Sequence, residues 1–299
     1  MTWLWHHCST KRQLREESAP GYHCSSGRQF RFRHKRVVVE ILELGEFVTD
    51  AILHTVARGD TQTEYRTPLV AFAAADDSRF ADLRRVAELS HLLPSDLLPG
   101  ARSVVSLFLP FAPWVVERNA RHREQVAREW AVAYVETNAL IGRITGHLIE
   151  ALGQRGIRAA AEPATHNFNP VTLISAWSHK SVAVIAGLGS FGLHQMVITD
   201  AGCAGRLGSR VLDAELPIEP AVPRERCLYL HDGSCLECVT HCPVSAIDPE
   251  AALDKQLCHQ RLTSIARAYK DLGLVDVCGK CAIGPCSFKS AVEPGATHS

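Results

Sequence analysis

Eight of the eleven cysteines lie between residues 227 and 286, and they fall into two quartets. The first is Cys227, Cys235, Cys238 and Cys242, with Pro243 behind it; the second is Cys258, Cys278, Cys281 and Cys286. Thiolates at these short spacings grip soft metal, and the run Cys235-x2-Cys238-x3-Cys242-Pro243 is the closing part of a bacterial-ferredoxin signature. Two quartets point to two [4Fe–4S] clusters and to electron transfer. In two-cluster ferredoxins the fourth cysteine of each run serves the other cluster. Applied here, that rule puts Cys227, Cys235, Cys238 and Cys286 on cluster 1, and Cys242, Cys258, Cys278 and Cys281 on cluster 2. Pro243 and Pro285 are suited to turning the chain away from a cluster. Gly233, Gly279 and Gly284 let backbone amides face sulfur, which favours the reduced, more negative state. Paired CxxC spacings also build zinc ribbons, although ribbons rarely carry the Cys-Pro run.

Such a cysteine module needs something to feed. The 299 residues are 46% hydrophobic, enough for a buried core, and the formal net charge is zero, so no global charge argues for nucleic acid or a membrane surface. The longest apolar stretch, Val104 to Val116, is broken by Pro110 and Pro113 and is too short to span a bilayer. Residues 1–36 are basic, have no secretory pattern and read as a disordered arm. Without an export signal, clustered cysteines read as metal ligands in a reducing cytoplasm, so the expected location is cytoplasmic.

From Val37 the pattern becomes globular. Val37 to Val56 predicts an opening helix, 68–73 a buried strand, 80–92 an amphipathic helix and 101–110 a second core strand. The longest helix is expected from about Glu124 to Arg155, on Trp130, Tyr134, Ala139, Leu140, Ile144, Leu148 and Leu152. A further helix is expected around Leu173, Ile174 and Trp177, then strands at 182–185, 196–198 and 210–212. The fold class is therefore an α/β (α+β) N-terminal domain followed by a C-terminal ferredoxin-like two-[4Fe–4S] domain. The expected boundaries are 1–36 for the arm, 37–222 for the α/β domain and 223–299 for the cluster domain, with Pro217, Pro220 and Pro223 as a stiff linker.

Gly187-x-Gly189-x-x-Gly192 has the spacing of a dinucleotide fingerprint and follows a predicted strand. Residues 193–198 predict another strand where a phosphate-facing helix would be needed, which disfavours nicotinamide binding. Close approach of backbone to a large flat cofactor is the favoured use of these glycines. A second loop, with Cys203, Gly205 and Arg206, is expected on the other side of the same cavity, where Arg206 could pair with a phosphate or carboxamide. Cys203 reads as a small buried residue or as a thiol facing the cofactor. His166 and His179 are candidates for proton transfer.

The glycine turn Ala186–Gly192, the eight cysteines and the run Cys258-His259-Gln260-Arg261-Leu262-Thr263 together resemble the epoxyqueuosine reductases and the related reductive dehalogenases, over roughly residues 40–290. That resemblance implies the same crossed ligation, cobalamin as a further cofactor and a low-potential donor, a ferredoxin or flavodoxin. It also implies an Asp-Tyr-His run opening the long helix, whose acid supplies a proton. Here the stretch is Ala133-Tyr134-Val135, so Tyr134 is kept, the acid is missing, and Glu129 or Glu136 is left to substitute. Lys180 stands where the family has an arginine. The chain ends at Ser299 without the family's helical-repeat extension, and its core carries no basic patch, so tRNA is not expected as the substrate. The expected function is an iron–sulfur reductase with Tyr134, Glu136 and His179 as catalytic candidates and Gly187, Gly189, Gly192, Gly205 and Arg206 holding a cofactor. Its acceptor would be a small molecule or a partner protein. The alternative is a non-catalytic dicluster carrier or reductive activator of a partner enzyme.

Overall fold

Val104, Val105, Leu107, Phe108 and Leu109 leave no polar face on the strand that contains them, so it must be covered on both sides. In the computed structural model, which describes residues 26–162, 168–220, 222–293 and 295, that strand is β2 (Ser103–Pro110), and all eight of its residues are buried. It is flanked by β1 (Leu69–Ala74) and β6 (Gly205–Leu212), with the two-residue β3 (Ala159–Ala160) outside β6. The order is β1-β2-β6-β3 and every pairing is antiparallel, with Leu69 opposite Phe108 and Val105 opposite Arg210. The sheet class is therefore α+β, mixed helix and sheet without parallel crossovers.

The chain divides into two units, Met1–Glu40 and Ile41–Ser299. Helix α1 (Ser26–Ala57) begins in the first, so the expected opening helix is present and starts earlier. Within the second unit, Val48 and Ile52 of α1 pack with α5 (Arg128–Gly153) on one face of the sheet, against Val105, Leu107 and Leu109. Buried residues of α5 recur at three- and four-residue steps from Trp130 to Leu152, as the sequence predicts, except that Ala139 is exposed. The opposite face is covered by Phe80 of α2 (Ser78–Val86), Leu97 of the short α3 (Pro94–Leu97) and Val182 and Ile185 of α6 (His179–Ile185), together with Trp177 just before α6. Between β2 and α5 runs α4 (Pro113–Ala120).

Three expectations are corrected here. Residues 182–185 are not a strand but most of α6, whose N-cap Ser178 accepts from the Ser181 amide at 3.1 Å. A four-residue apolar run is buried equally well in either conformation, and the cap was the deciding signal. Residues 173–177 are not a helix: Leu173 has φ +55°, and Asn169 Oδ1 takes the amides of Val171 and Thr172. Helix α2 also stops at Val86 rather than near Leu92.

After α6 comes a two-stranded hairpin, β4 (Gly189–Phe191) and β5 (Val197–Thr199). Described residues from 222 onward contain no strand; they form α7 (Leu228–Asp232), α8 (Glu237–His241), α9 (Lys255–Ala268) and two single 3₁₀ turns. This region shares a core with the rest of its unit: Ile265, Val275 and Ala282 join Phe111, Val115 and Trp130. Arg66 ties the same neighbourhood by donating to the carbonyls of Phe111 (3.1 Å), Ala201 (2.6 Å) and Phe288 (2.9 Å).

Candidate functional site

None of the nine described cysteines is paired in a disulfide. Cys227 caps α7, Cys238 lies in α8, Cys242 follows it, and Cys258 is on α9. Cys278 and Cys281 straddle Gly279, whose φ of +72° lets the chain double back. Burial pushes the Cys238 thiol up to about 12, and the like charges raising it further are Cys286, Cys227 and Cys235. Burial likewise raises Cys281, followed by Cys258, Cys278, Cys238 and Cys242, and it raises Cys258, with Cys278 and Cys242 next. Thiols crowded in this way resist ionisation unless a cation joins them, and a metal centre supplies that charge. Two further features suit such a group. The Ala246 amide donates to Cys242 Sγ at 3.2 Å. The indole N–H of Trp130, buried against Gly279, has no partner among the described residues.

The Cys278–Cys281 turn is anchored from the other end of α4. Asn119, fully buried, donates to the Cys278 carbonyl (3.0 Å) and accepts from the Ala127 amide (3.1 Å) and from Lys280 Nζ (3.0 Å). Burial pulls Lys280 down to about 8.

Tyr134 and Arg206, named for separate reasons in the sequence, meet in the structure. The guanidinium lies over the phenol ring at 4.3 Å, and its Nε and Nη2 both donate to Asn138 Oδ1 at 3.1 and 2.8 Å. The Tyr134 hydroxyl donates to the Asp276 carboxylate. Lys180 donates to the Gln195 carbonyl at 2.9 Å; burial lowers its amine, while Cys281 and Cys258 pull the other way and Arg206 stands nearby. Phenol, carboxylate and two cations thus gather beside the second quartet.

Glu136 does not join them. Two positions along a helix turn it about 200° from Tyr134, and its carboxylate takes the amides of Gln62 (3.0 Å) and Thr63 (2.8 Å) and the Thr63 hydroxyl (2.5 Å), anchoring the loop after α1. His179 enters a buried network, with Nδ1 2.7 Å from Ser209 Oγ, which also accepts from Trp177 Nε1 at 2.9 Å. His166 lies outside the described residues.

The glycine turn is a helix stop followed by a hairpin. Gly187, at φ +82°, donates to Val184 O (3.1 Å) and Leu188 to Ala183 O (2.9 Å), the two bonds of a Schellman cap on α6. A side chain at Gly189 would meet Ile198 O at 2.3 Å, at Gly192 the Ile198 and His194 side chains at 2.8 and 2.9 Å, and at Gly205 Leu109 O at 2.3 Å. The close approach at these three glycines is to the protein itself. Gly187 borders a cavity of about 790 Å³ with Asp50, Phe72, Glu219 and Arg226.

No family model matches the chain. It is 32% identical to the epoxyqueuosine reductase of Pseudomonas aeruginosa over 57% of its own length and 45% of that protein. Against the epoxyqueuosine reductase of Salmonella typhimurium it is 28% identical over 72% of the chain and 55% of the relative. The chain is thus similar to epoxyqueuosine reductases over part of their length. An epoxyqueuosine reductase solved with an epoxyqueuosine-modified tRNA stem loop matches in fold, with a TM-score of 0.51 at 21% identity over 81% of this chain and 65% of that one. The chain spans about half the length of the curated epoxyqueuosine reductases it matches. No helix among the described residues is long and apolar enough to cross a membrane.

Sequence reasoning missed Asn138 and Asp276. Asn138 had a signal: it stands four residues after Tyr134, on the same face of α5. Asp276 had none, because it reaches Tyr134 across 142 residues of chain.

Proposed function

We propose that this chain is an iron–sulfur oxidoreductase with a ferredoxin-like two-cluster region over residues 223–299. One [4Fe–4S] cluster is held by Cys227, Cys235, Cys238 and Cys286, the other by Cys242, Cys258, Cys278 and Cys281. The observation that carries this reading is the sorting of the thiols: the strongest like-charge neighbours of Cys238 are Cys286, Cys227 and Cys235, whereas those of Cys258 are Cys278 and Cys242. These neighbours support an exchange of Cys242 and Cys286 between the runs, the pattern in which the last cysteine of each run serves the other cluster, while Cys281 also feels Cys238 of the other set. When bound, the clusters supply one-electron transfer from a low-potential donor such as a ferredoxin or flavodoxin.

The acceptor end of this reading is the group around Tyr134. Arg206 and Lys180 are the two cations that would hold an electron-rich or anionic acceptor, a small molecule or a partner protein. Asn138 fixes the plane of Arg206, and Tyr134, hydrogen-bonded to Asp276, holds a proton within the same group. Cobalamin is implied by the family resemblance, while protein packing already accounts for Gly189, Gly192 and Gly205, where a Cβ would meet Ile198, His194 and Leu109. We therefore assign it no residues and no step.

Anaerobic purification or reconstitution with iron and sulfide analysis tests the reading. About eight iron and eight sulfide per chain are expected. Cys281→Ser is expected to remove one cluster while the sheet remains folded by circular dichroism. A colourless zinc protein, or an unchanged iron content in Cys281→Ser, would refute it. Intact clusters with no corrinoid, flavin or substrate acceptor would favour the electron-carrier alternative.

A further inference from the structure

Cys286 differs from the other seven quartet cysteines in what surrounds its sulfur. His194 Nε2 lies 3.4 Å from Cys286 Sγ, and Cys203 Sγ lies 3.8 Å from it. Both neighbours are buried, at 5% and 2% exposure, so no bulk water competes with either. Among the described residues no other quartet sulfur receives a side-chain hydrogen bond from outside the quartets; Cys242 receives a backbone amide.

The donor roles follow from the loop. Gly192 and Met196 close the β4–β5 hairpin, with Gly192 N–H on Met196 O and Gln195 N–H on Gly192 O, both at 2.9 Å. The same turn aims the Met196 amide at His194 Nδ1, at 3.1 Å. Nδ1 is therefore the acceptor, so the neutral ring carries its proton on Nε2 and points it at Cys286. Gly192 allows this fold-back, since a Cβ there would stand 2.9 Å from His194 Cε1.

Cys203 is set by backbone. Its amide donates to Cys286 O at 2.9 Å and the Ala204 amide to Ser287 O at 3.2 Å, laying the two segments side by side. Gly202, at φ +81°, makes that approach possible, because a Cβ there would sit 2.2 Å from Ser287 O. Cys203 S–H then faces Cys286 Sγ as a second donor. The three ligand-type atoms of His194, Cys203 and Cys286 all lie within 4.8 Å of one another.

We propose that His194 and Cys203 are positioning residues that donate to the Cys286 thiolate and raise the reduction potential of the cluster it holds. The inference rests on the reading of Cys286 as a cluster ligand. Hydrogen bonds to a ligand sulfur draw charge off the cluster and so favour the reduced state, which carries one more negative charge. Neither residue needs to bind iron, and among the described residues the sulfurs of the other set have no equivalent pair.

The test is an EPR-monitored redox titration of anaerobic wild type, His194→Phe and Cys203→Ala, each with iron and sulfide counted. Either substitution is expected to make reduction of one cluster about tenfold less favourable, a downward shift of about 59 mV for one electron, and to leave the other cluster in place. His194→Gln, which keeps an amide donor, is expected to recover part of that shift. Full iron with unmoved potentials in both variants would overturn the inference while sparing the two-cluster reading. Loss of a cluster in both variants would also overturn it, because the pair would then be structural. Wild type lacking eight irons would instead overturn the two-cluster reading beneath it.

Discussion

Replacing Gly279 by alanine places a methyl group where Trp130 already sits. Gly279 has φ +72°, and a Cβ there would stand 2.2 Å from Trp130 Cε2 and Cζ2 and 2.5 Å from Nε1. Trp130 cannot simply yield: it is 4% exposed and meets Phe111 edge-on, with ring centroids 5.3 Å apart. The left-handed backbone costs an alanine about 1–2 kcal/mol. Overpacking a closed core adds about 1–3 kcal/mol. Gly233→Ala separates these effects, since Gly233 has φ +76° and nothing within 4 Å of its Cβ. That variant should lose only the backbone part. Because Cys278 and Cys281 flank Gly279, the overpacking falls on the second quartet. Anaerobic iron analysis and urea unfolding of both variants are the assay. Gly279→Ala is expected to drop from about eight irons to about four and to be destabilised more than Gly233→Ala, which keeps its iron. Adding Trp130→Leu should recover part of the difference. Equal destabilisation of the two glycine variants within about 0.5 kcal/mol, with full iron in both, would refute the steric argument.

Other outcomes follow from the same geometry. Tyr134→Phe removes the hydroxyl that donates to Asp276 but leaves the ring under Arg206, so cluster content should be unchanged while turnover of an acceptor falls about 10²–10⁴-fold, read by steady-state kinetics with a chemical reductant. Arg206→Lys keeps the charge and loses the stacked, two-donor contact with Asn138, and should raise KM more than it lowers kcat. His91 is fully buried, donates through Nδ1 to Leu92 O (2.9 Å) and accepts through Nε2 from the Ser178 amide (3.3 Å). Burial holds its folded pKa below the ordinary value, so the unfolded chain binds the extra proton first and stability is lost as pH falls below about 6.5. Unfolding free energies between pH 8 and 5 should fall less steeply in His91→Asn, by up to about 1.4 kcal/mol per pH unit.

What could be read from the sequence was what depends on local spacing. Cysteines three and four positions apart sit within reach of one metal centre whatever lies around them, so the quartets were visible at once. The apolar repeat of α5 and the unbroken apolar run of β2 were equally local, because period and burial are written into consecutive residues. Residues 182–185 lacked that advantage: a short run between two covering layers is buried as helix or strand, and Ser178 and the Gly187 cap made it α6. Tertiary structure alone turned Glu136 away from Tyr134, brought Asp276 to it, and filled the space beside Gly189, Gly192 and Gly205 with protein. It also set His194 and Cys203 on Cys286, across 92 and 83 residues of chain. Contacts at such separations leave no periodicity in the sequence. They exist only once burying the sheet on both faces has brought the hairpin, the long helix and the cysteine loops together.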